Sequence, residues 1–134
     1  MTSAVLVDTD VVSFFFKKDT RARPYRPHLV GRTLLISFMT LAELRFWALC
    51  RRWGHEHWER LARHLQGYLV CYADDVMCDL WAQVSDRARR RGRPMEVGDA
   101  WVAATALALG VPLATHNAVD FASIDGLKVV SAGP

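Results

Sequence analysis

The sequence predicts an α/β domain of three layers, α/β/α, in which a mostly parallel five-stranded sheet lies between helices. Short, β-rich apolar runs alternate with longer segments of helical periodicity, and strands separated by helices form βαβ units with parallel pairing. The length of 134 residues is typical of one hydrophobic core, and no repeat or linker divides the chain. We therefore expect residues 1–134 to form a single domain.

The first strand and the first helix are predicted from the N-terminal segment. Ala4–Val7 is a brief apolar run that stops at Asp8, which is typical of a buried strand. Asp8, Thr9 and Asp10 offer cap residues for a helix over 11–16. A basic stretch with two prolines follows, and it predicts only a short helical turn before the next strand.

The middle of the chain predicts two strands and two helices. Residues 34–36 form the second apolar run, and Thr40 and Glu43 then have the spacing of a capping box. This spacing predicts a helix from there to about Arg52. The remaining predicted elements of this part are a helix over 55–65 and a third strand over 68–72.

The last third of the chain predicts two helices and then two strands. A long helix begins at Asp74 and ends in a cluster of arginines. An alanine-rich helix is opened by Gly98 and Asp99 and stops at Gly110, because glycine commonly follows the last turn of a helix. The last two predicted strands cover 112–115 and 127–130.

The composition excludes several classes of protein. With 51% hydrophobic and 23% charged residues, the chain is not disordered, and no apolar run approaches the roughly 20 residues of a membrane helix. Asp8 and Asp10 lie where a signal peptide is apolar. Three cysteines without a C-x-x-C pair indicate free thiols in a reducing compartment. We expect a cytoplasmic protein with no membrane partner.

The basic residues are mostly arginine. Lysine and arginine total 17 against 14 acidic residues, a net charge of +3, and only three of the 17 are lysine. Several arginines cluster between Arg87 and Arg93. Because the guanidinium fork suits phosphate, a nucleic-acid partner is one interpretation, and a solvated helix end is the other.

Four acidic residues are predicted to meet at one edge of the sheet. Asp8 ends the first strand, and Glu43 lies in the first turn after the second. Asp99 lies in the first turn of the helix that enters the fourth strand, and Asp120 follows that strand. The carboxyl ends of parallel strands share the edge at which α/β folds bind ligands. Each acid alone also fits a capping role at a helix N-terminus, so their convergence is what predicts a site.

A cluster of carboxylates predicts a divalent cation. Unneutralised carboxylates repel one another and take up protons, whereas Mg²⁺ prefers oxygen ligands and binds to a few carboxylates together with substrate phosphate. Such a site predicts hydrolysis of phosphate esters. Glu96, one helical turn before Asp99, is a further candidate for the cluster. Polar neighbours that could orient water or carboxylates are Ser37, Thr40, Thr115 and Asn117.

The acidic segments resemble those of the PIN-domain ribonucleases, and most closely the VapC-type toxins of bacterial toxin–antitoxin pairs. The four segments are LVDTDVV, ISFMTLAEL, GDAWVAATAL and LATHNAVDF, and their order and spacing match that family over essentially the whole chain. The resemblance implies an α/β/α domain with Mg²⁺- or Mn²⁺-dependent endoribonuclease activity on RNA. It also implies neutralisation by a small cognate antitoxin protein.

The resemblance assigns roles to individual residues. Asp8 and Asp99 would be the principal metal ligands, and Glu43 would complete the acidic set directly or through water. Some family members carry aspartate where this chain has Asn117, so Asp120 is the only acid of its segment and its membership of the metal site is an inference. Residues that match the pattern in supporting roles are Thr9, Thr115 and Asn117.

Two other functions fit parts of the sequence. A phosphoacceptor receiver domain would use Asp8 and Asp10, but Asp74 is a poor candidate for its receiving aspartate and Lys128 lies inside the last strand pattern rather than near its end. A catalytically inactive PIN-like scaffold that only binds a partner is the second alternative. Motifs of zinc proteases, phosphate loops and dinucleotide-binding folds are absent.

Three consecutive phenylalanines, Phe14 to Phe16, bear on the oligomeric state. Successive helical residues lie about 100° apart, so the three rings cannot all face one core. We expect at least one ring to reach the surface, which is consistent with a homodimer or a toxin–antitoxin hetero-oligomer.

Overall fold

The sheet is parallel throughout. A computed structural model describes residues 3–133, and within them five strands form one sheet: β1 Ala4–Val7, β2 Thr33–Ser37, β3 Leu69–Cys71, β4 Leu113–Ala114 and β5 Val129–Val130. Their order across the sheet is β3-β2-β1-β4-β5, and every neighbouring pair is parallel. The last two strands are shorter than predicted.

Helices connect the strands at nearly the predicted positions. Within residues 3–133 the α-helices are α1 Thr9–Phe16, α2 Arg26–Leu29, α3 Phe38–Cys50, α4 His55–Leu65, α5 Asp75–Arg90 and α6 Val97–Leu109. Two 3₁₀ turns, Thr20–Tyr25 and Ala118–Phe121, complete the secondary structure. Asp8 caps α1 as predicted, and Gly110 ends α6 with a φ of 65°, a left-handed conformation that favours glycine.

Side chains of β1 alternate between two hydrophobic cores. Val5 and Val7 pack in the core shared with α1 to α4, whereas Leu6 packs in the core shared with α5 and α6. All three side chains are buried, which explains why β1 is an unbroken apolar run rather than an alternating one. Helices therefore cover both faces, and the predicted three-layer α/β/α class is confirmed.

The strand order changes direction at β1. The chain places β2 and β3 on one side of β1 and then returns to place β4 and β5 on the other side. Helical connections therefore diverge at the carboxyl ends of β1 and β4, which leaves a crevice there, and α/β proteins bind ligands in such crevices. Asp8 directly follows β1 and Thr115 directly follows β4, so both lie at this crevice.

The start of α3 corrects one prediction. Ser37 caps this helix, and its Oγ accepts a hydrogen bond from the backbone N–H of Met39 at 3.1 Å. The predicted capping box of Thr40 and Glu43 is therefore wrong, and Glu43 lies in the second turn rather than the first. Thr40 is instead buried, with its Oγ1 2.9 Å from Oγ1 of Thr9 on α1.

Helices α5 and α6 form an antiparallel pair. Thr105 contacts Met77 toward one end of the pair, with 3.8 Å between Oγ1 and Sδ. Nearer its other end, the rings of Trp81 and Trp101 stack at 5.4 Å between centroids. The connection 91–96 is short, so the C-terminus of α5, which carries the arginine cluster, lies beside the N-terminus of α6, which carries Asp99.

The structure of residues 3–133 also bears on the expectations for the phenylalanines, the cysteines and membrane-spanning helices. Phe14 and Phe16 are buried but Phe15 is only partly so, which confirms that one of the three rings reaches the surface. The three cysteines are free thiols. No helix in this part of the chain is long and apolar enough to cross a membrane.

Candidate active site

Asp8 directly follows β1 at the crevice, and two hydrogen bonds hold its carboxylate. Oδ1 accepts from the backbone N–H of Thr9 at 2.8 Å, and Oδ2 accepts from the hydroxyl of Thr115 at 2.7 Å. The residue is only 7% exposed. Burial and the neighbouring charge of Asp10 raise the pKa of Asp8 to about 6, while both hydrogen bonds act in the opposite direction. Asp8 therefore keeps its proton to a higher pH than an ordinary aspartate does.

Asp99 faces Asp8 from the first turn of α6. Burial, and then the charges of Asp8, Glu96, Asp120 and Glu43 in decreasing order, raise the pKa of Asp99 to about 7. The acids predicted from four separate segments are therefore close enough to act on one carboxylate. The structure brings all of them together at the carboxyl edge of the sheet.

Glu43 reaches the cluster from α3. Its Oε1 accepts a hydrogen bond from the hydroxyl of Thr9 at 3.2 Å. Burial raises the pKa of Glu43, the charges of Asp8 and Glu96 add to this, and the Thr9 hydrogen bond opposes it. Gly98 lies beside this side chain, and a Cβ at that position would be in ordinary van der Waals contact with Oε1, 3.7 Å away.

Asp120 and Glu96 line an open cleft beside Asp99. This cleft has a volume of about 700 Å³, and both side chains are exposed. Asp120 lies on the 3₁₀ turn after β4, and Glu96 immediately precedes α6. Both acids raise the pKa of Asp99, so their charges lie close enough to act on it.

Asp10 belongs to the same cluster, although the sequence analysis gave it no role in the site. Its Oδ2 accepts from the backbone N–H of His116 at 3.1 Å and from the side-chain amide of Asn117 at 3.3 Å. Burial raises its pKa, and its charge raises that of Asp8. The sequence predicted Asp10 as a cap residue before a helix over 11–16, whereas α1 begins at Thr9 and Asp10 lies in its first turn.

Tyr25 packs beside the crevice and contacts the segment that follows β4. Its ring is fully buried, and its hydroxyl lies 2.7 Å from Nδ1 of His116 and 3.2 Å from the backbone oxygen of Thr115. The same hydroxyl accepts from the backbone N–H of Ala132 at 3.1 Å. Tyr25 thereby connects the segment after β4 to the segment after β5.

Three arginines line the cleft that contains Asp99 and Asp120. They are Arg87, Arg91 and Arg93. The nucleic-acid interpretation of this cluster is therefore compatible with the fold, because these three arginines lie in the cleft that contains Asp99 and Asp120.

A divalent cation fits the cluster if water supplies some of its ligands. Within residues 3–133, no three His, Cys, Asp or Glu side chains are arranged to hold a metal ion together. Asp8 and Asp99 nevertheless offer carboxylate oxygens, and the charge of Asp8 opposes the ionisation of Asp99. A cation near both would remove this repulsion, and Mg²⁺ commonly binds one or two carboxylates and keeps several waters.

The parallel sheet, its two helical layers and the acidic crevice at its carboxyl edge define a small α/β domain with a candidate active site. Residues 5–127 match the PIN domain family, and the chain belongs to this family. The resemblance to PIN-domain ribonucleases is thereby confirmed, and the receiver-domain alternative is not supported. Asp74 caps α5 by accepting a 2.9 Å hydrogen bond from the backbone N–H of Met77.

Similar proteins match the chain over almost its whole length. It is 27% identical over 129 residues to Ribonuclease VapC1 of Haemophilus influenzae strain R2866, which covers 92% of this chain and 93% of that protein. It is 28% identical over 130 residues to Ribonuclease VapC5 of Mycobacterium tuberculosis, covering 96% and 93%.

Solved structures of low sequence identity share the fold. VapBC2 from Rickettsia felis, bound to a DNA fragment from its promoter, superposes with a TM-score of 0.85 at 18% identity, covering 96% of this chain and 98% of the other. FitAcB from Neisseria gonorrhoeae superposes with a TM-score of 0.82 at 24% identity, covering 95% and 96%. These matches extend over the whole three-layer domain.

Proposed function

We propose that this protein is a metal-dependent endoribonuclease and the toxin of a VapC-type toxin–antitoxin pair. The observation that carries the proposal is the convergence of Asp8 and Asp99 at the crevice beside β1, with pKa values raised to about 6 and about 7. Burial and mutual repulsion disfavour the charged forms of these two carboxyls, and a bound cation would stabilise them. Relatives named as VapC ribonucleases, matched over more than nine-tenths of their length, support RNA as the substrate.

Asp8 and Asp99 would hold Mg²⁺ or Mn²⁺, and Glu43 and Asp120 would complete the acidic pocket. The bound cation would supply charge stabilisation at the phosphoryl oxygens and make water a better nucleophile. Thr115 and Thr9 keep the Asp8 carboxylate oriented and favour its ionised form. An ionised Asp8 is the form that a cation requires.

Glu43 is suited to orient the attacking water. Its Oε1 is held by the hydroxyl of Thr9, so the side chain has a defined position, and Oε2 is the atom that would accept a proton from water. The raised pKa of Glu43 makes its carboxylate a better proton acceptor than an ordinary one.

Cleavage of RNA tests the proposal against the inactive-scaffold alternative. Purified protein should cleave RNA with Mg²⁺ or Mn²⁺ present, and Asp8→Asn and Asp99→Asn should each lower the rate at least about 100-fold. Asp79→Asn makes the same chemical change on an exposed position of α5 and should leave the rate unchanged. A scaffold would show no metal-stimulated cleavage, and equal activity in all variants would indicate a contaminating nuclease.

The RNA target can be identified in cells. Sequencing of new 5′ ends after brief induction should show a few defined cleavage sites that are absent with Asp99→Asn. Induction of the wild-type protein without new 5′ ends would contradict the toxin function.

An antitoxin is the proposed protein partner. Several structures with this fold are named as VapBC or toxin–antitoxin complexes. On α3 of this chain, Phe46 and Leu49 are 62% and 66% exposed, and exposed apolar side chains of this size favour a protein contact. Co-expression with the cognate antitoxin should yield a stable complex that no longer cleaves RNA.

A further inference from the structure

The cleft beside Asp99 is lined by both acidic and basic side chains. The acidic residues are Glu96, Asp99, Asp120 and Asp125, and the basic residues are Arg87, Arg91 and Arg93. Arg87 lies in the last turn of α5 and Arg91 directly follows the helix as its C-cap, so a spacing of four residues places both side chains on the same side of the helix end. Arg93 continues this row into the connection to α6. We call these three residues the arginine row.

Arginines of the same cluster differ in their pairing. Arg89 and Arg90 both bind Asp86 at 2.9 Å and do not line the cleft. Among residues 3–133, no acidic side chain forms a salt bridge with the arginine row. The arginines whose charges are not paired are therefore the ones that face the cleft.

Arg91 has a fixed position across the cleft. Its Nη1 donates a hydrogen bond to the backbone oxygen of Ser123 at 2.6 Å, and Ser123 lies just after the 3₁₀ turn that carries Asp120. A guanidinium has five N–H donors, so the others remain free for a ligand. This bond connects Arg91 to the segment that carries Asp120.

We propose that the arginine row binds the phosphodiester backbone of the RNA strand next to the bond that is cleaved, an inference that rests on the function proposed above. The acidic cluster repels RNA phosphates, and an adjacent row of unpaired cations offsets that repulsion. Guanidinium groups bind phosphate oxygens through paired hydrogen bonds. The row begins in the cleft that holds Asp99, so a strand bound along it reaches the acidic cluster.

The test compares two double variants of equal charge. Arg87→Ala with Arg93→Ala removes two members of the row, and Arg89→Ala with Arg90→Ala removes the arginines paired with Asp86. Arg91 stays intact because it also holds the Ser123 segment. The probe is a short fluorescein-labelled single-stranded RNA, and its anisotropy is measured in EDTA so that cleavage does not intervene.

We expect the Arg87/Arg93 variant to bind the RNA at least about tenfold more weakly than wild type, and the Arg89/Arg90 variant to bind within about twofold. The slope of log affinity against log salt should fall by about 1.4 in the first variant, since each lost contact to a single strand removes about 0.7. Equal losses in both variants, or no loss in the first, would overturn the proposal.

Cleavage by the same proteins separates this proposal from the proposed function. If wild type cleaves RNA and the Arg87/Arg93 variant binds and cleaves like wild type, the proposed role of the arginine row is wrong and the nuclease function stands. If wild type does not cleave but the Arg87/Arg93 variant loses RNA binding as expected, the row binds RNA but not beside a cleaved bond, and the nuclease function is wrong.

Discussion

Thr115 donates a 2.7 Å hydrogen bond to Oδ2 of Asp8, although the two residues are 107 positions apart in the chain. The bond joins the carboxyl ends of β4 and β1 at the point where the strand order changes direction. It favours the ionised form of Asp8 against burial and against the charge of Asp10. The Thr115 hydroxyl therefore links the pairing of β1 with β4 to the protonation of Asp8, the candidate metal ligand.

Removal of this hydroxyl should shift the pH dependence of RNA cleavage. Thr115→Val deletes the donor, so the pKa of Asp8 should rise above about 6, and the acid limb of the kcat/KM profile should move up by about one pH unit. Thr115→Ser retains the donor and should keep the wild-type profile. A uniform loss at all pH values, without movement of the limb, would show that Thr115 acts only through structure.

The acid cluster should make the metal-free protein less stable as the pH rises. Asp8 and Asp99 have folded-state pKa values of about 6 and about 7, above the value of about 3.9 in an unfolded chain. Between about pH 4 and 7 the folded state therefore binds more protons than the unfolded state, and the free energy of unfolding falls as the pH rises. This contribution is largest below pH 4 and is lost above about pH 7.

The variant Asp99→Asn tests this sign. It removes the repelled charge, so in EDTA at pH 7.5 the free energy of unfolding should rise by about 1–3 kcal/mol, despite a small loss of interaction with the α6 dipole. At pH 4 the gain should disappear. Asp79→Asn, on the exposed side of α5, should change stability by less than about 0.5 kcal/mol at either pH. A destabilised Asp99→Asn at pH 7.5 would contradict the expected repulsion.

Mg²⁺ should restore the stability that the protein loses when Asp8 and Asp99 become charged. If Asp8 and Asp99 hold the ion, millimolar Mg²⁺ should raise the melting temperature at pH 7.5, because the ion binds only the folded state. The rise should vanish in Asp8→Asn and in Asp99→Asn. It should also vanish at pH 5, where both carboxyls are largely protonated. Thermal unfolding followed by circular dichroism measures this directly, and an equal rise in Asp99→Asn would place the ion elsewhere.

The layers of the fold were predictable because they depend on local patterns. β1 was identified with its observed bounds, Ala4–Val7, since a strand buried on both faces is an unbroken apolar run. The convergence of Asp8 and Asp99 followed from the rule that parallel strands and their helices share one edge. These inferences need only the sequence of elements, not their side-chain packing.

Contacts between distant segments were not predictable. Thr40 and Glu43 have the spacing of a capping box, but Ser37 caps α3, and Thr40 instead meets Thr9 of α1. Nothing local distinguishes these choices, because Ser37 and Thr40 are both good caps. Which arginines of the cluster line the cleft depends likewise on segments distant in the chain, since the same cleft is lined by Asp120 and Ser123.

Asp10 should act on Asp8 in the direction opposite to Thr115. Its charge raises the pKa of Asp8, so Asp10→Asn should lower that pKa and move the acid limb of the cleavage profile down. Because Oδ1 accepts from Val11 N–H and Oδ2 from His116 N–H, a single amide oxygen cannot satisfy both, and a stability loss of about 1–2 kcal/mol should accompany the shift. Asp10→Ala removes both acceptors, so it should lower the free energy of unfolding further and speed hydrogen exchange at the His116 amide.

Opposite movement of the acid limb in Thr115→Val and Asp10→Asn would identify Asp8 as the group that titrates. Movement in the same direction would show that another group controls the profile.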